Sequence, residues 1–201
     1  MNTICSTPLI KIVIPIYYKK ELYLIIDKCL KSLQKHYPEI ERILIDDCSP
    51  DCSPWRMTLQ NEKNLGYTKT VNRGLEFAFK TADTVIVAND DLEFRKGDLD
   101  KFRIIDDGIY YPSDSASGDS KCFGAIWGMN KRTYQRLGKL NENYKHFFSD
   151  RDYYQKAIKA GLPVVNWPEI IIKHHESATY NLINKKELLQ EDEKTFKRNV
   201  I

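Results

Sequence analysis

Two short acidic segments stand where the chain leaves apolar runs, and their carboxylates could do chemistry. Asn89–Asp91 follows the apolar run 85–88, and Asp46–Asp47 follows the run 40–45. Carboxylates at the end of a strand are suited to holding a hard divalent cation and, through the cation, a phosphate group. Asn and Asp are also ordinary turn residues, so each segment on its own is also explained by a polar turn after a strand.

Strands and helices alternate through the first 91 residues, and they would position these segments. The runs 9–16, 40–45 and 85–88 are short and apolar, which predicts buried strands of a parallel sheet. The intervals 21–36 and 68–80 carry apolar residues at spacings of three and four, which predicts helices. This order indicates right-handed βαβ units, and such sheets bind ligands beyond the carboxyl ends of their strands. We therefore expect a nucleotide-binding α/β half.

The second half of the chain is less regular and predicts shorter elements. Asn130 is suited to capping a helix that runs to about Leu137, and Ser149–Asp150 to starting a helix that ends near Gly161. The run 122–129 contains two glycines, which predicts a strand that passes close to a ligand or another backbone. The other expected elements are strands at 55–60, 109–112, 164–165 and 170–172, one or two helical turns within 92–107, a polar loop at 113–121 and a charged amphipathic helix from about Lys185.

Length, charge and cysteine usage limit the class of protein. The 201 residues suit one domain with a sizeable core, and 31 Lys plus Arg against 28 Asp plus Glu give a net charge of +3. That charge permits a nucleic-acid or anionic-membrane partner without indicating one. The sequence has neither an apolar window long enough for a membrane helix nor a signal-peptide pattern at its start. Five cysteines without zinc-site spacing are interpreted as reduced thiols of a cytoplasmic protein; they are Cys5, Cys29, Cys48, Cys52 and Cys122.

The order of several short motifs is more informative than any one of them. They are Ile12–Tyr17, Leu30–Leu33, Ile45–Asp51, Asn64–Gly66 with Asn72–Gly74, Asn89–Asp91, Gly124 with Asn130–Arg132, Ser149–Asp152, and His174. From about Leu9 to Thr179 this order resembles the family 2 glycosyltransferases of the GT-A fold. The resemblance implies an α/β fold in which a mixed, mainly parallel sheet is flanked by helices in a single domain. It also implies an inverting transferase that uses a nucleotide-diphosphate sugar and a divalent cation.

The resemblance divides the chain and assigns roles to individual residues. Residues 1–179 correspond to the GT-A domain, with a nucleotide-binding half (1–91) and an acceptor and catalytic half (92–179), and residues 180–201 form a C-terminal helical tail. Asp150 corresponds to the general base, and Asp91 with His174 to the residues that hold Mn²⁺ or Mg²⁺. The residues expected to contact the donor are Pro15, Tyr17, Asp46, Asp47, Lys69, Arg73, Asn89 and Asp90.

Three positions depart from the family pattern. Cys48 stands for a glycine after the Asp pair, Asn89 for the first aspartate of an Asp-x-Asp motif, and Ser149 for a glutamate before the expected base. The glycine departure bears on the shape of a turn. The other two bear on activity, and they keep a non-catalytic sugar-nucleotide or glycan-binding module open as an alternative.

The chemistry of these side chains agrees with the assigned roles, although each also has a structural alternative. A carboxylate can accept the imide N–H of uracil, and a tyrosine ring can stack on a base. A helix N-terminus would keep the Asp150 carboxylate ionised, as a base requires. Asp46–Asp47 could instead form an Asx turn into Ser49–Pro50, and Lys69 and Arg73 could be solvated side chains. Asp150 could serve only to compensate the helix dipole, and His174 could face water at a strand end. Trp127 could lie in the core rather than beside the donor sugar or acceptor.

The function that follows is transfer of a hexose or pentose from a nucleotide sugar, with a UDP-sugar favoured, to an acceptor hydroxyl. The acceptor stays open between a saccharide, a lipid-linked sugar, a protein and a modified DNA base. The tail from Lys185 contains four acidic residues, so it is not a basic arm for nucleic acid. A nucleotidyltransferase is less favoured, because Pro15–Tyr18 stands where a Gly-rich signature with Arg or Lys would follow the first strand.

Overall fold

A computed structural model describes residues 8–114, 124–175 and 185–199. The strands in these ranges are β1 (Ile10–Ile16), β2 (Glu41–Asp46), β3 (Leu59–Gln60), β4 (Thr84–Ala88), β5 (Leu92–Glu93), β6 (Ile109–Asp114), β7 (Ile126–Asn130) and β8 (Val164–His174). The helices are α1 (Tyr23–His36), α2 (Tyr67–Ala78), α3 (Lys131–Leu137), α4 (Ser149–Lys159) and α5 (Lys185–Asn199), with 3₁₀ turns at Lys20–Leu22 and Asp100–Arg103.

The described strands form one mixed sheet in the order β3-β2-β1-β4-β7-β6-β8-β5. The first four strands are parallel to one another, and β6 is parallel to β8. Strand β7 runs antiparallel to β4 and β6, and β5 runs antiparallel to β8. The predicted fold class, an α/β domain with a mixed and mainly parallel sheet flanked by helices, is confirmed.

Strand β1 lies inside the parallel half of the sheet and is covered on both faces. Ile12 belongs to a core that includes Leu33 of α1, and Val13 belongs to a second core that includes Leu75 of α2. The two helices predicted from apolar spacing therefore cover opposite faces. Because successive side chains alternate between these two cores, the strand is apolar almost throughout rather than alternately polar.

Pro15 marks the end of pairing on one side of β1 only. The pairing with β4 ends at Val13, whereas the pairing with β2 continues through Ile16 opposite Asp46. Proline has no N–H to donate, so its position beyond the last β4 pair costs the sheet no hydrogen bond on that side.

Three elements differ from their predictions. Strand β3 is confined to Leu59–Gln60, and Trp55, at the start of the predicted strand, stacks on Tyr23 instead. The short strands expected at 164–165 and 170–172 form the single strand β8, which accommodates the intervening proline in an irregular pairing with β6. Leu92–Glu93 forms strand β5 in a segment where only helical turns were expected.

Some predictions stay untested by the fold. Cys5, Cys122, most of the polar loop at 113–121 and the boundary at residue 179 lie outside the described ranges. Within those ranges, no helix is both long and apolar enough to cross a membrane. The three cysteines that the structure describes are free thiols. The cytoplasmic location and the division into two halves remain predictions.

Candidate active site

The carboxyl ends of β1, β2 and β4 bring the two acidic segments to one edge of the sheet, as predicted. Ile16 at the end of β1 lies opposite Asp46 at the end of β2, and the Asp47 N–H donates to Ile16 O at 2.8 Å. Strand β4 runs parallel to β1 and ends at Ala88, immediately before Asn89. Tyr17, Asp47 and Asn89 therefore emerge at the same edge.

The Asp47 carboxylate is buried and accepts hydrogen bonds from its own chain. Oδ1 accepts from Asn61 Nδ2 at 2.7 Å and from Leu65 N at 2.8 Å, and Oδ2 accepts from Gly66 N at 2.9 Å. These bonds fix the segment that leads into α2. The structural role that the sequence left open for Asp47 is therefore present, and its contact with a nucleoside stays a prediction.

Asp46 forms the turn that was the alternative to a ligand site. Its Oδ1 accepts from the N–H of Ser49 at 3.0 Å and from the Ser49 hydroxyl, and its Oδ2 accepts from Gln60 Nε2 at 3.1 Å. Within this turn, Cys48 has a φ of 56°, in the left-handed region. The position at which the family carries glycine is thus one where the backbone favours glycine.

Of the donor-site candidates at the end of β1 and on α2, Arg73 is engaged by the chain and the others are partly accessible. The Arg73 guanidinium donates to Gln60 O at 3.1 Å and to the side-chain oxygen of Asn61. Pro15, Tyr17 and Lys69 are half-buried. The next residue, Tyr18, is buried and donates its N–H to Ser49 Oγ at 2.7 Å.

Asp91 and His174, the predicted metal ligands, are in contact. His174 Nε2 lies 3.1 Å from Asp91 Oδ1, and their side chains are 15% and 8% exposed. Strand pairing sets this position, because Leu92 of β5 lies opposite His174 of β8 and the His175 N–H donates to Asp91 O at 2.9 Å.

One carboxylate and one imidazole fit a divalent cation that takes its other ligands from phosphate oxygens and water. No group of three or more His, Cys, Asp or Glu able to hold a metal occurs among the described residues. A cation here would therefore depend on ligands from a bound diphosphate. The neighbouring Asp90 is buried, and burial together with the Asp91 carboxylate raises the pKa of Asp90 to about 8.

A charged cluster that the sequence reasoning missed lies next to this pair. The Glu93 carboxylate is 3.0 Å from Lys28 Nζ, 3.1 Å from Lys173 Nζ and 3.0 Å from His175 Nε2. The hydrogen bond from Lys28, with those from Lys173 and His175, lowers the pKa of Glu93 to about 2. Glu93 follows Asp91 by two residues, but only the pairing of β5 with β8 indicates which cations surround it.

Asp150 lies in the first turn of α4, as predicted, and the segment just before β7 lies beside both its carboxylate and Asn89. The Asn89 N–H donates to Ala125 O at 2.9 Å. A Cβ built on the adjacent Gly124 would lie 3.8 Å from Asp150 Oδ2. Segment 124–125 therefore hydrogen-bonds to Asn89, and its glycine leaves open space beside the Asp150 carboxylate. Ser149, in place of the family's glutamate, is buried.

Trp127 belongs to the core, which settles the alternative that the sequence left open. It is 1% exposed, and its ring centroid lies 5.8 Å from that of Tyr153. Gly128 confirms the predicted close approach in this strand, because a Cβ there would lie 2.7 Å from the Phe102 ring and 3.0 Å from Val85 O.

The chain is similar to known proteins in structure but not detectably in sequence. No protein-family model matches the chain, and no curated protein matches its sequence. Several solved structures do match its fold. The mannosyltransferase PcManGT from Pyrobaculum calidifontis, in complex with GDP-Man and Mn²⁺, has a TM-score of 0.69 at 15% identity, over 87% of this chain and 59% of that chain.

Two further solved structures share this architecture. The catalytic domain of Drosophila β1,4-galactosyltransferase 7, in complex with xylobiose, has a TM-score of 0.63 at 12% identity, over 91% of this chain and 79% of that chain. The fragment 1–349 of S. aureus TarS has a TM-score of 0.56 at 15% identity, over 84% of this chain and 58% of that chain. The chain therefore spans less than two thirds of the mannosyltransferase and of the TarS fragment, and at these identities the likeness shows the fold. That fold is GT-A, the fold of nucleotide-sugar glycosyltransferases.

Proposed function

We propose that the protein is a glycosyltransferase that moves a sugar from a nucleotide-diphosphate sugar to an acceptor hydroxyl with inversion at the anomeric carbon. The observation that carries the proposal is the Asp91–His174 pair at the carboxyl edge of the parallel strands, with Nε2 3.1 Å from Oδ1. The pair is mostly buried, sits where α/β sheets bind ligands and has the donor set for a divalent cation that also binds phosphate.

The donor would lie along the edge formed by β1, β2 and β4. Tyr17 offers a half-buried ring for stacking on the base, and Lys69 offers a cation on the first turns of α2. Asn89 is half-buried at the end of β4, within reach of sugar or ribose hydroxyls. One of the similar structures was solved with GDP-Man and another with UDP, so the identity of the nucleotide base of the donor is left to experiment.

Asp150 would act as the base. Its carboxylate takes the proton of the acceptor hydroxyl while that oxygen forms a bond to the anomeric carbon. The bond from that carbon to the diphosphate breaks, and its electron pair leaves with the nucleoside diphosphate. A divalent cation held by Asp91 and His174 would neutralise the charge that develops on the diphosphate. The N-terminus of α4 favours the ionised form of Asp150 between turnovers.

The first test is thermal stability with UDP and GDP, with and without Mn²⁺. A ligand that binds only the folded state raises the melting temperature by mass action. We expect a shift that requires Mn²⁺ with one of the two nucleotides, which also selects the donor class. No shift with either nucleotide at millimolar concentration would contradict the donor site.

The second test compares Asp150→Asn with its neighbour Asp152→Asn. Both changes replace a carboxylate in the first turn of α4, but Asp152 Oδ1 accepts a hydrogen bond from the Tyr144 hydroxyl at 3.2 Å. Release of nucleotide from GDP-mannose, UDP-galactose and UDP-GlcNAc is followed with Mn²⁺. We expect Asp150→Asn to lose roughly 10²- to 10⁴-fold in turnover and keep the nucleotide-induced shift.

The outcomes separate an enzyme from a binding module. Turnover in Asp152→Asn but not in Asp150→Asn supports Asp150 as the catalytic base. A metal-dependent, nucleotide-induced rise in melting temperature without turnover of any donor by the wild type would instead favour the non-catalytic binding module. A nucleic-acid acceptor would show binding that weakens steeply with salt, because its phosphates are neutralised by lysine and arginine.

A further inference from the structure

Asp192 is a buried acidic residue on the charged helix α5. It is 2% exposed, and its carboxylate accepts three successive backbone N–H groups of the segment that precedes α4. Oδ1 accepts from Lys145 N at 3.0 Å, and Oδ2 accepts from His146 N at 2.9 Å and Phe147 N at 2.8 Å. Hydrogen bonds to an ionised acceptor are stronger than neutral ones, so this carboxylate fixes the backbone of 145–147.

The same segment is held from its other side by the start of α2. Lys145 O accepts the Thr68 N–H at 3.1 Å, and a Cβ on Gly66 would lie 2.9 Å from that oxygen. Gly66 in turn donates its N–H to Asp47 Oδ2. Segment 145–147 therefore lies between the N-terminus of α2, next to the donor edge, and helix α5.

A ring contact extends this clamp to the first turn of α4. Phe196 of α5 stacks on Phe148, with centroids 5.2 Å apart and planes 25° apart. Phe148 has a φ of 61°, and Asp150 follows it by two residues. A non-glycine residue in the left-handed region persists only where its surroundings enforce that conformation. Here the surroundings are the Asp192 hydrogen bonds on one side and the Phe196 ring on the other.

We propose that Asp192 is a positioning residue for Asp150: by clamping residues 145–147 it sets where α4 begins and hence where the base carboxylate lies. This proposal rests on the proposed function. A base must be held close to its productive geometry, and a displacement of about 1 Å caused by a distant change can cost 10²-fold in rate. The C-terminal helix would then contribute to turnover without contacting donor or acceptor.

The test variant is Asp192→Asn, with two controls. Asparagine keeps the size but turns one acceptor oxygen into an N–H₂ group, which faces backbone donors and cannot accept from them. Tyr37→Phe is the stability control, because the Tyr37 hydroxyl, just beyond the C-terminus of α1, accepts from Leu99 N at 2.9 Å and donates to Arg95 O at 3.1 Å. Glu191→Gln is the helix control, because that carboxylate makes only an exposed ion pair with Lys145 among its contacts in the described chain.

Two readouts are measured at the same interval below each variant's melting temperature. The first is kcat and KM for nucleotide release with Mn²⁺ from the donor that the wild type turns over. The second is amide hydrogen exchange across residues 143–150. We expect Asp192→Asn to lower kcat about ten- to a hundredfold without changing the donor KM, and to speed exchange at 145–147. We expect Tyr37→Phe and Glu191→Gln to change neither readout.

A purely structural role for Asp192 predicts a different result. In that case the melting temperature falls, but kcat changes no more than in Tyr37→Phe, which would overturn the proposal. Unchanged exchange at 145–147 would overturn it as well. If the wild type releases nucleotide from no donor, the proposed function fails and the positioning role falls with it. If the wild type turns over and Asp192→Asn matches the controls, only the role of Asp192 fails.

Discussion

His174 Nε2 lies 3.1 Å from Asp91 Oδ1, where the turn residue just before β5 meets the last residue of the antiparallel strand β8. Leu92 pairs with His174, and the N–H of His175 donates to Asp91 O, so backbone hydrogen bonds of the β5–β8 pair fix the place of both residues. A site built on paired strands is more closely defined than one built on loops. The pair is thus suited to bind a cation with little reorganisation.

The metal assignment predicts that Asp91→Asn and His174→Gln each weaken Mn²⁺ binding by at least about tenfold, because the first removes the negative charge of one protein ligand and the second replaces the imidazole of the other. The measurement is the Mn²⁺-dependent part of the nucleotide-induced rise in melting temperature. His175→Gln is the matched control, since its ring contacts Glu93 rather than Asp91. If both test variants keep the full Mn²⁺-dependent rise in melting temperature, and circular dichroism shows that both are folded, the metal assignment is wrong.

The turn after β2 predicts a stabilising substitution. Cys48 has a φ of 56°, a conformation in which glycine is not strained and cysteine is. Cys48→Gly relieves that strain but increases the conformational entropy of the unfolded chain. We expect a net gain of about 0.5–1 kcal/mol in the free energy of unfolding. Denaturant unfolding measures the change. Cys52→Gly, at an exposed cysteine of the same loop without a positive φ, is expected to give no gain.

Much of the fold followed from local sequence patterns, and the interior of the site did not. Asn130 does cap α3, with its side chain accepting from Thr133 N, as its residue type predicts. The two-residue strand β5 carries no periodic signal, so the surroundings of Glu93 could not be foreseen. Asp192 looked like one acid among several on a charged helix, because only tertiary contacts reveal that its carboxylate is buried.

The Asp pair shows the same limit in another way. Its position at the end of β2 follows from the apolar run before it, and the Asx turn of Asp46 follows from residue type. The donors to Asp47 could not be predicted, because Leu65 and Gly66 lie well beyond the turn and reach it only when α2 packs on the sheet. Residue spacing identifies a candidate carboxylate, but tertiary packing determines which of its oxygens accept hydrogen bonds from the chain itself.

Gly74 predicts a conflict between helix propensity and packing. A Cβ at this position of α2 would lie 2.5 Å from Ile45 Cδ1 and closer still to Val13 Cγ1. Helix propensity alone favours Gly74→Ala by about 1 kcal/mol, but overpacking of two buried strands costs about 1–3 kcal/mol. We expect Gly74→Ala to lower the free energy of unfolding. The control is Glu76→Ala, at an exposed position of the same helix, whose free energy of unfolding should stay within about 0.5 kcal/mol of the wild-type value. A higher free energy of unfolding in Gly74→Ala would contradict the close contact.

His146 predicts a loss of stability in mild acid. Burial is the main cause that lowers its pKa below the usual 6.5; Lys145 adds to the effect, while the Asp192 and Asp47 carboxylates partly offset it. Between its folded pKa and 6.5 the unfolded state binds more protons, so the free energy of unfolding rises with pH in that window. The contribution is complete above 6.5 and is lost as the pH falls through the folded pKa.

His146→Gln removes this titration and is the variant that checks it. Denaturant unfolding of wild type and variant is measured in steps from about pH 7.5, roughly one unit above the usual histidine pKa, down into mild acid near pH 5. The difference between the two free energies of unfolding should change with pH only below the usual histidine pKa, with the wild type losing more. Parallel curves would show that the half-buried His146 ring is not held in its neutral form. They would also weaken the case for a tightly packed 145–147 segment, because loose packing would let water reach the imidazolium.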